Sequence, residues 1–169
     1  MDASELFSVK GLVAVITGGG SGLGLIMAKA LEANGAAKVF IAGRNMEKLE
    51  KAAKQGIHGN IIPVQCDVTS KDSLVALAAK IKEDVGYVNP NAGCASAGQL
   101  LFDISPASPL PEISSFLLSR PWEAYTEQFN VHVTATLYTC VAFLELLDAG
   151  NKKGNISWST SPPFLFPLY

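Results

Sequence analysis

Histidine, cysteine and charge are all scarce in this chain, and each scarcity removes a class of function. Two histidines occur in 169 residues. His58 sits in a Gly/Asn turn, His132 lies far from it, and neither has partners at metal-ligand spacing, so no metal site is expected. The three cysteines, Cys66, Cys94 and Cys140, are odd in number, far apart and without a Cys-x-x-Cys. They read as reduced, buried thiols of a cytoplasmic protein, not as a disulfide framework. Charged residues are 17% of the chain and sum to −2 with no basic block, which offers no foothold for nucleic acid or an anionic membrane. No apolar run is long enough to suggest a bilayer span, and no signal pattern opens the chain: residues 11–17 are apolar but run straight into glycines.

What is present is apolar and ordered. Hydrophobic residues are 49% of a length that suits one core. Leu12 to Thr17 is a continuous β-branched and apolar run, the pattern of a strand buried on both faces. A glycine-rich turn, Gly18 to Gly24, follows, and Leu25 to Asn34 then reads as a helix with Gly35 as its stop. Lys38 to Ala42 is a second strand, Met46 to Gln55 a charged amphipathic helix, and Ile61 to Cys66 a third strand. Ser70 is placed to cap a helix running to about Val85. This alternation predicts an α/β fold, a Rossmann-like, doubly wound parallel sheet with helices on both faces.

The second half is less regular. Residues 95–121 are rich in proline and serine and read as a long surface loop, with a helical turn at Ile113–Leu118. From Pro121, the residues Trp122, Tyr125, Phe129, Val133, Leu137, Val141 and Leu144 recur at three- and four-residue steps, predicting one long helix to Ala149 that stops near Gly150. Residues 155–169 are polar, then proline- and aromatic-rich, unlike the preceding 154, which read as one partial Rossmann-like domain.

The turn Thr17-Gly18-Gly19-Gly20-Ser21-Gly22-Leu23-Gly24 has the spacing Gly-x-x-x-Gly-x-Gly; no register fits Gly-x-Gly-x-x-Gly. The physics is the same. Gly18 allows a sharp exit from the strand, Gly22 leaves room for a pyrophosphate beside the backbone, and Gly24 lets the helix pack on the strand. The phosphates then meet free N–H groups and the positive end of the helix dipole. Gly18, Gly20, Ser21, Gly22, Leu23 and Gly24 are therefore the residues expected to line this part of a cofactor site.

Three motifs in order carry a resemblance. The Thr-Gly-x-x-x-Gly-x-Gly turn, Asp67-Val68 at the end of the third strand, and Asn91-Ala92-Gly93 after the next helix together resemble the short-chain dehydrogenase/reductase family over about residues 10–150. The resemblance implies that Asp67 hydrogen-bonds the adenine amino group and that Val68 flanks the base. It implies that Asn91, Ala92 and Gly93 line the floor beside ribose and nicotinamide. Asn130 matches the family's active-site asparagine, which supports a proton-relay water.

The choice of dinucleotide turns on the end of the second strand. An NAD site usually carries Asp or Glu there to accept from the ribose 2′-OH. Here the sequence is Ile41-Ala42-Gly43-Arg44-Asn45, with no carboxylate. Arg44 can bind a 2′-phosphate with a charge-assisted fork, and Asn45 lies beside it. NADP(H) is thus favoured over NAD(H). S-adenosylmethionine enzymes share the layout but generally want an acidic residue at that position, and rank below.

The pattern then breaks. The family's chemistry needs a serine, and a tyrosine with lysine four residues later. Tyr87, Tyr125 and Tyr138 are followed at that offset by Asn91, Phe129 and Ala142, Tyr169 is the last residue, and no lysine follows Lys153. Ser161 is the best match for the serine by offset, but its segment is too polar for a central strand and two prolines follow. The fourth strand, Tyr87-Val88-Asn89-Pro90, carries a proline where a ladder donor is needed. The expectation is an incomplete sheet of about five strands, from a truncated or mis-spliced gene product. For a full-length parent the resemblance implies an oxidoreductase of a small carbonyl or alcohol; these 169 residues would be catalytically silent, and the alternative is a non-catalytic dinucleotide-binding module. The apolar stripe of the 121–149 helix suggests self-association.

Overall fold

The computed structural model describes residues 8–89, 94–95, 107–119, 121–154 and 167–168. Strand β1 (Val13–Thr17) leads into helix α1 (Gly22–Ala33), β2 (Lys38–Gly43), α2 (Met46–Ala53), β3 (Ile61–Gln65) and α3 (Lys71–Asp84). The three strands form one parallel sheet in the order β1-β2-β3. Val13 lies opposite Lys38 and Thr17 opposite Ala42; Val39 lies opposite Ile61 and Gly43 opposite Gln65. Pro63 is tolerated because β3 is the edge strand of this sheet.

The period of two sorts the strand residues between two cores. Leu12, Ala14, Ile16, Val39, Ile41 and Ile61 face Ala28 of α1 and Leu49 and Ala52 of α2. Val13, Val15, Phe40, Ala42, Val64 and Cys66 face Leu74, Leu77 and Ile81 of α3 and Phe143, Leu146 and Leu147 of a long helix farther on. Helices therefore cover both faces, as the continuous apolar strands predict.

Boundaries move by a few residues. Helix α1 begins at Gly22, three residues before Leu25. Helix α2 ends at Ala53 and β3 at Gln65, each short of the sequence expectation. Within the expected loop, Leu110–Leu118 forms a nine-residue helix, α4, longer than the single turn predicted. The long helix is three pieces: α5 (Trp122–Phe129), a π-helical turn (Asn130–Thr134) and α6 (Ala135–Lys153). Gly150 does not stop it. Gly154, at φ 60° in the left-handed region, does. By length and composition alone, Asn130–Lys153 is apolar enough to cross a bilayer, contrary to the sequence expectation of no such segment. Phe143, Leu146 and Leu147 anchor one face of it in the core, while Phe129, Val133, Leu137, Val141 and Leu144 are more than half exposed.

The fourth-strand segment is replaced by a side-chain device. Val88 and Asn89 are buried beside β1. The Asn89 N–H donates to the Val13 carbonyl at 3.1 Å, and the Val13 N–H donates back to Asn89 Oδ1 at 2.8 Å. One asparagine thus satisfies both backbone groups of Val13 just before Pro90, which has no N–H to give. The Val88 N–H turns the other way and donates to the Leu146 carbonyl of α6 at 2.9 Å. Two further strands, β4 (Cys94–Ala95) and β5 (Pro167–Leu168), pair in parallel as a separate two-stranded sheet. The later strand falls at 167–168; the segment around Ser161 lies outside the described residues.

Glu32 is the buried charge of the molecule's first core. Its carboxylate, fully buried in α1, accepts from the Ile57 N–H at 2.9 Å and from the His58 N–H, clasping the loop between α2 and β3. Burial pushes its pKa up, but the N–H groups of Ile57, His58 and Asn60 and the charge of His58 outweigh this, and the net position is below the ordinary 4.5. A depressed folded pKa stabilises above the unfolded value and loses that contribution as pH falls through the folded one. We expect Glu32→Gln to flatten part of the decline in stability below pH 4.5, and to cost about 1.5–3 kcal/mol at neutral pH, the worth of hydrogen bonds to a charged group. Urea denaturation of both proteins from pH 3 to pH 7 measures it; parallel profiles would show that Glu32 is not the titrating latch.

Candidate functional site

The site lies at the carboxyl ends of β1, β2 and β3, where an open parallel sheet leaves a crevice for ligands. Each strand delivers a different piece of it. After β1 the chain turns through Gly18 at φ 74°, a conformation only glycine adopts cheaply, and the Gly18 N–H ties back to the Ala42 carbonyl at 2.7 Å. A side chain at Gly24 would meet the Gly18 carbonyl oxygen at 2.6 Å, so this glycine lets α1 close on the turn. Gly22, at φ 54°, has nothing within 4 Å of where a side chain would stand, so the space beside it is open. Ser21 precedes α1 as its cap residue without a side-chain capping bond, and no acidic residue occupies the first turn. The free N–H groups and the positive dipole end are left unopposed for an anion. Leu23 is 71% exposed, an apolar side chain held out at the same end.

Gly19 is the glycine whose role the spacing did not reveal. A Cβ there would stand 2.6 Å from Ile41 Cγ2, in the core beneath the turn. The signal was tertiary, since Ile41 belongs to the neighbouring strand. A Cβ at Gly20 would meet the end of the Leu49 side chain first, at 3.2 Å.

After β2 come Arg44 and Asn45, both exposed. Asn45 caps α2, its Oδ1 accepting from the Lys48 N–H at 3.0 Å, so the side-chain oxygen is engaged locally. Gln65, at the end of β3, donates from Nε2 to the Arg44 carbonyl at 3.0 Å. Two residues on, Asp67 is held tightly. Its Oδ1 accepts from the Thr69 N–H at 3.0 Å and the Thr69 hydroxyl at 2.7 Å, while its own N–H donates to Ser73 Oγ at 2.9 Å. The Thr69 bonds hold the carboxyl below its ordinary range; burial opposes them and the positive charge of Arg44 adds to them. Asp67 is thus an oriented anion. Thr69 and Ser73 were not singled out from the sequence, though Asp followed two residues later by Thr is the pattern of an Asx turn. Val68 packs partly buried against the α3 core.

Of the residues expected in the site, the structure brings the glycine turn, Arg44, Asn45, Asp67 and Val68 to one end of the sheet. Asn130 opens the π-helical turn and is exposed. Asn91, Ala92, Gly93 and Ser161 lie outside the described residues. Among the described residues, no group of three or more His, Cys, Asp or Glu is arranged to hold a metal.

The chain is similar to known proteins. The family model described as short chain dehydrogenase matches residues 12–162. The short-chain dehydrogenase/reductase VdtF of Byssochlamys spectabilis is 48% identical over 158 residues, covering 90% of this chain and 52% of that protein. PhomF of Diaporthe leptostromiformis, also a short-chain dehydrogenase/reductase, is 46% identical, covering 94% of this chain and 54% of its own length. The chain therefore spans about half the length of these relatives. A metagenomic short-chain oxidoreductase solved in complex with NADP superposes with a TM-score of 0.64 at 23% identity, over 84% of this chain and 59% of that one. With the family model matching residues 12–162 of the 169, this chain belongs to the short-chain dehydrogenase/reductase family.

Proposed function

We propose that these 169 residues form the cofactor-binding part of an NADP(H)-dependent oxidoreductase acting on a small carbonyl or alcohol. The observation that carries the reading is the end of β2: Arg44 stands where a carboxylate would otherwise select NAD(H), and it is exposed at the carboxyl end of that strand. The NADP complex of the metagenomic relative supports the same choice. A bound dinucleotide supplies hydride chemistry. The chain's own residues bind and orient it: the turn of Gly18 to Gly24 takes the pyrophosphate, Asp67 and Val68 the adenine, and Arg44 the 2′-phosphate. Asn91, Ala92 and Gly93 are assigned to the ribose and nicotinamide side by family resemblance, and Asn130 to the proton-relay water. Ser161 is a weaker candidate for the family's serine.

Between a catalyst and a non-catalytic binding module, one observation favours binding without turnover: the sequence contains no Tyr-x-x-x-Lys. Calorimetric titration of NADPH and NADH against wild type and Arg44→Ala tests the cofactor reading. NADPH is expected to bind more tightly than NADH. Arg44→Ala is expected to weaken NADPH by roughly 10- to 150-fold, the equivalent of about 1.5–3 kcal/mol for a charge-assisted contact, and to leave NADH nearly unchanged. Equal affinities in wild type would overturn the role of Arg44.

A further inference from the structure

We propose that Gln65 is a positioning residue for cofactor discrimination: it fixes the backbone from which Arg44 reaches the 2′-phosphate. The inference rests on the NADP(H) reading above. Arg44 follows the last residue of β2 and precedes the α2 cap, so its backbone is the hinge between strand and helix. That hinge is held from both sides. On the helix side, Asn45 Oδ1 accepts from the Lys48 N–H. On the strand side, the Cys66 N–H donates to the Gly43 carbonyl at 2.9 Å, and Gln65 Nε2 reaches one residue farther to the Arg44 carbonyl at 3.0 Å.

The Gln65 contact is the one that acts on Arg44 itself. Gln65 is paired in register with Gly43 and leads by two residues to Asp67. A single side chain thereby ties the strand carrying the adenine-side carboxylate to the residue carrying the phosphate-side cation. A long arginine side chain on an untethered backbone spreads its guanidinium over many positions, and only some of them meet a 2′-phosphate in the two-pronged geometry that makes the contact strong. Holding the carbonyl removes part of that spread before the ligand arrives, which is how preorganisation adds to affinity. NADH has no 2′-phosphate, so it gains nothing from the tether. Gln65 is exposed and outside both cores, so removing its amide does not open a cavity.

The experiment is a titration of the 169-residue chain and its Gln65→Met, Gln65→Ala, Arg44→Ala and Gln65→Met/Arg44→Ala variants with NADPH and with NADH. Methionine keeps the length of glutamine and removes the donor. Both Gln65 variants are expected to lose about 3- to 10-fold in NADPH affinity, the range of one neutral hydrogen bond, with NADH affinity and thermal midpoint unchanged. With Arg44 already gone, Gln65→Met is expected to have no further effect, as for two residues acting through one contact. Equal losses for both cofactors, or no loss for NADPH, overturn the inference. If Arg44→Ala abolishes the NADPH preference and Gln65→Met leaves it intact, the tether fails and the Arg44 reading stands. If Arg44→Ala leaves the preference intact, or wild type binds neither nucleotide, the cofactor reading fails and the tether with it.

Discussion

Purified protein of this sequence is expected to show no turnover of NADPH with a panel of aldehydes and ketones above a heat-killed control. Carbonyl reduction needs a proton delivered to the developing alkoxide as hydride arrives. The family resemblance assigns that role to a tyrosine whose pKa is lowered by a lysine four residues on, and no such pair occurs here. Two of the tyrosines are engaged in packing contacts. Tyr138 is partly buried in the α3–α6 core with the Lys71 ammonium 4.2 Å from its ring centre. Tyr87 is covered in the same way by Lys153, at 3.6 Å. In both cases the cation sits over the ring, a packing contact. Loss of an activated general acid typically removes about 10²–10⁴ in rate. Steady oxidation of NADPH that scales with protein and with carbonyl concentration would falsify this expectation.

The second large effect is structural. Gly150→Ala is expected to cost about 2–4 kcal/mol, summing overpacking of about 1–3 kcal/mol and the loss of one or more backbone hydrogen bonds. Helix propensity alone predicts the opposite sign, since alanine is better than glycine in a helix interior by about 1 kcal/mol. The geometry decides against propensity. A Cβ at Gly150 would stand 2.0 Å from the Val88 carbonyl oxygen, 2.8 Å from its carbon and 3.4 Å from Asn89 Cα. These are backbone atoms and cannot swing aside. Relief requires α6 or the 88–89 segment to move. Movement strains the bond from the Val88 N–H to Leu146 and the reciprocal pair between Asn89 and Val13. That segment closes the β1 side of the sheet and leads into Asn91-Ala92-Gly93, so cofactor binding is expected to weaken along with stability. Urea denaturation of both proteins measures the change; a midpoint equal to or above that of wild type would show that the close approach is dispensable.

The sequence by itself determined the first half of the fold. Continuous apolar strands, a glycine-rich exit and polar helix caps are local signals, and each is spent within a few residues of where it is read. That is why β1, β2, β3 and the helices between them were legible, and with them the places of the glycine turn, Arg44 and Asp67 at the strand ends. Local signals also misled. Gly150 looks like a helix stop, yet it is a contact with Val88 from a distant segment. Asn130–Thr134 keeps the apolar spacing of an α-helix and forms a π turn within it. The damaged fourth strand was visible in Pro90, but its repair was not, because the partner of Asn89 is Val13, 76 residues away. The same holds within the site. Gly19 is required by Ile41 on the next strand, and Gln65 reaches the Arg44 carbonyl 21 residues earlier. Sequence fixes what a residue can do with its neighbours along the chain; which distant backbone it must clear or hold is decided only when parallel strands bring separate segments to within hydrogen-bonding distance.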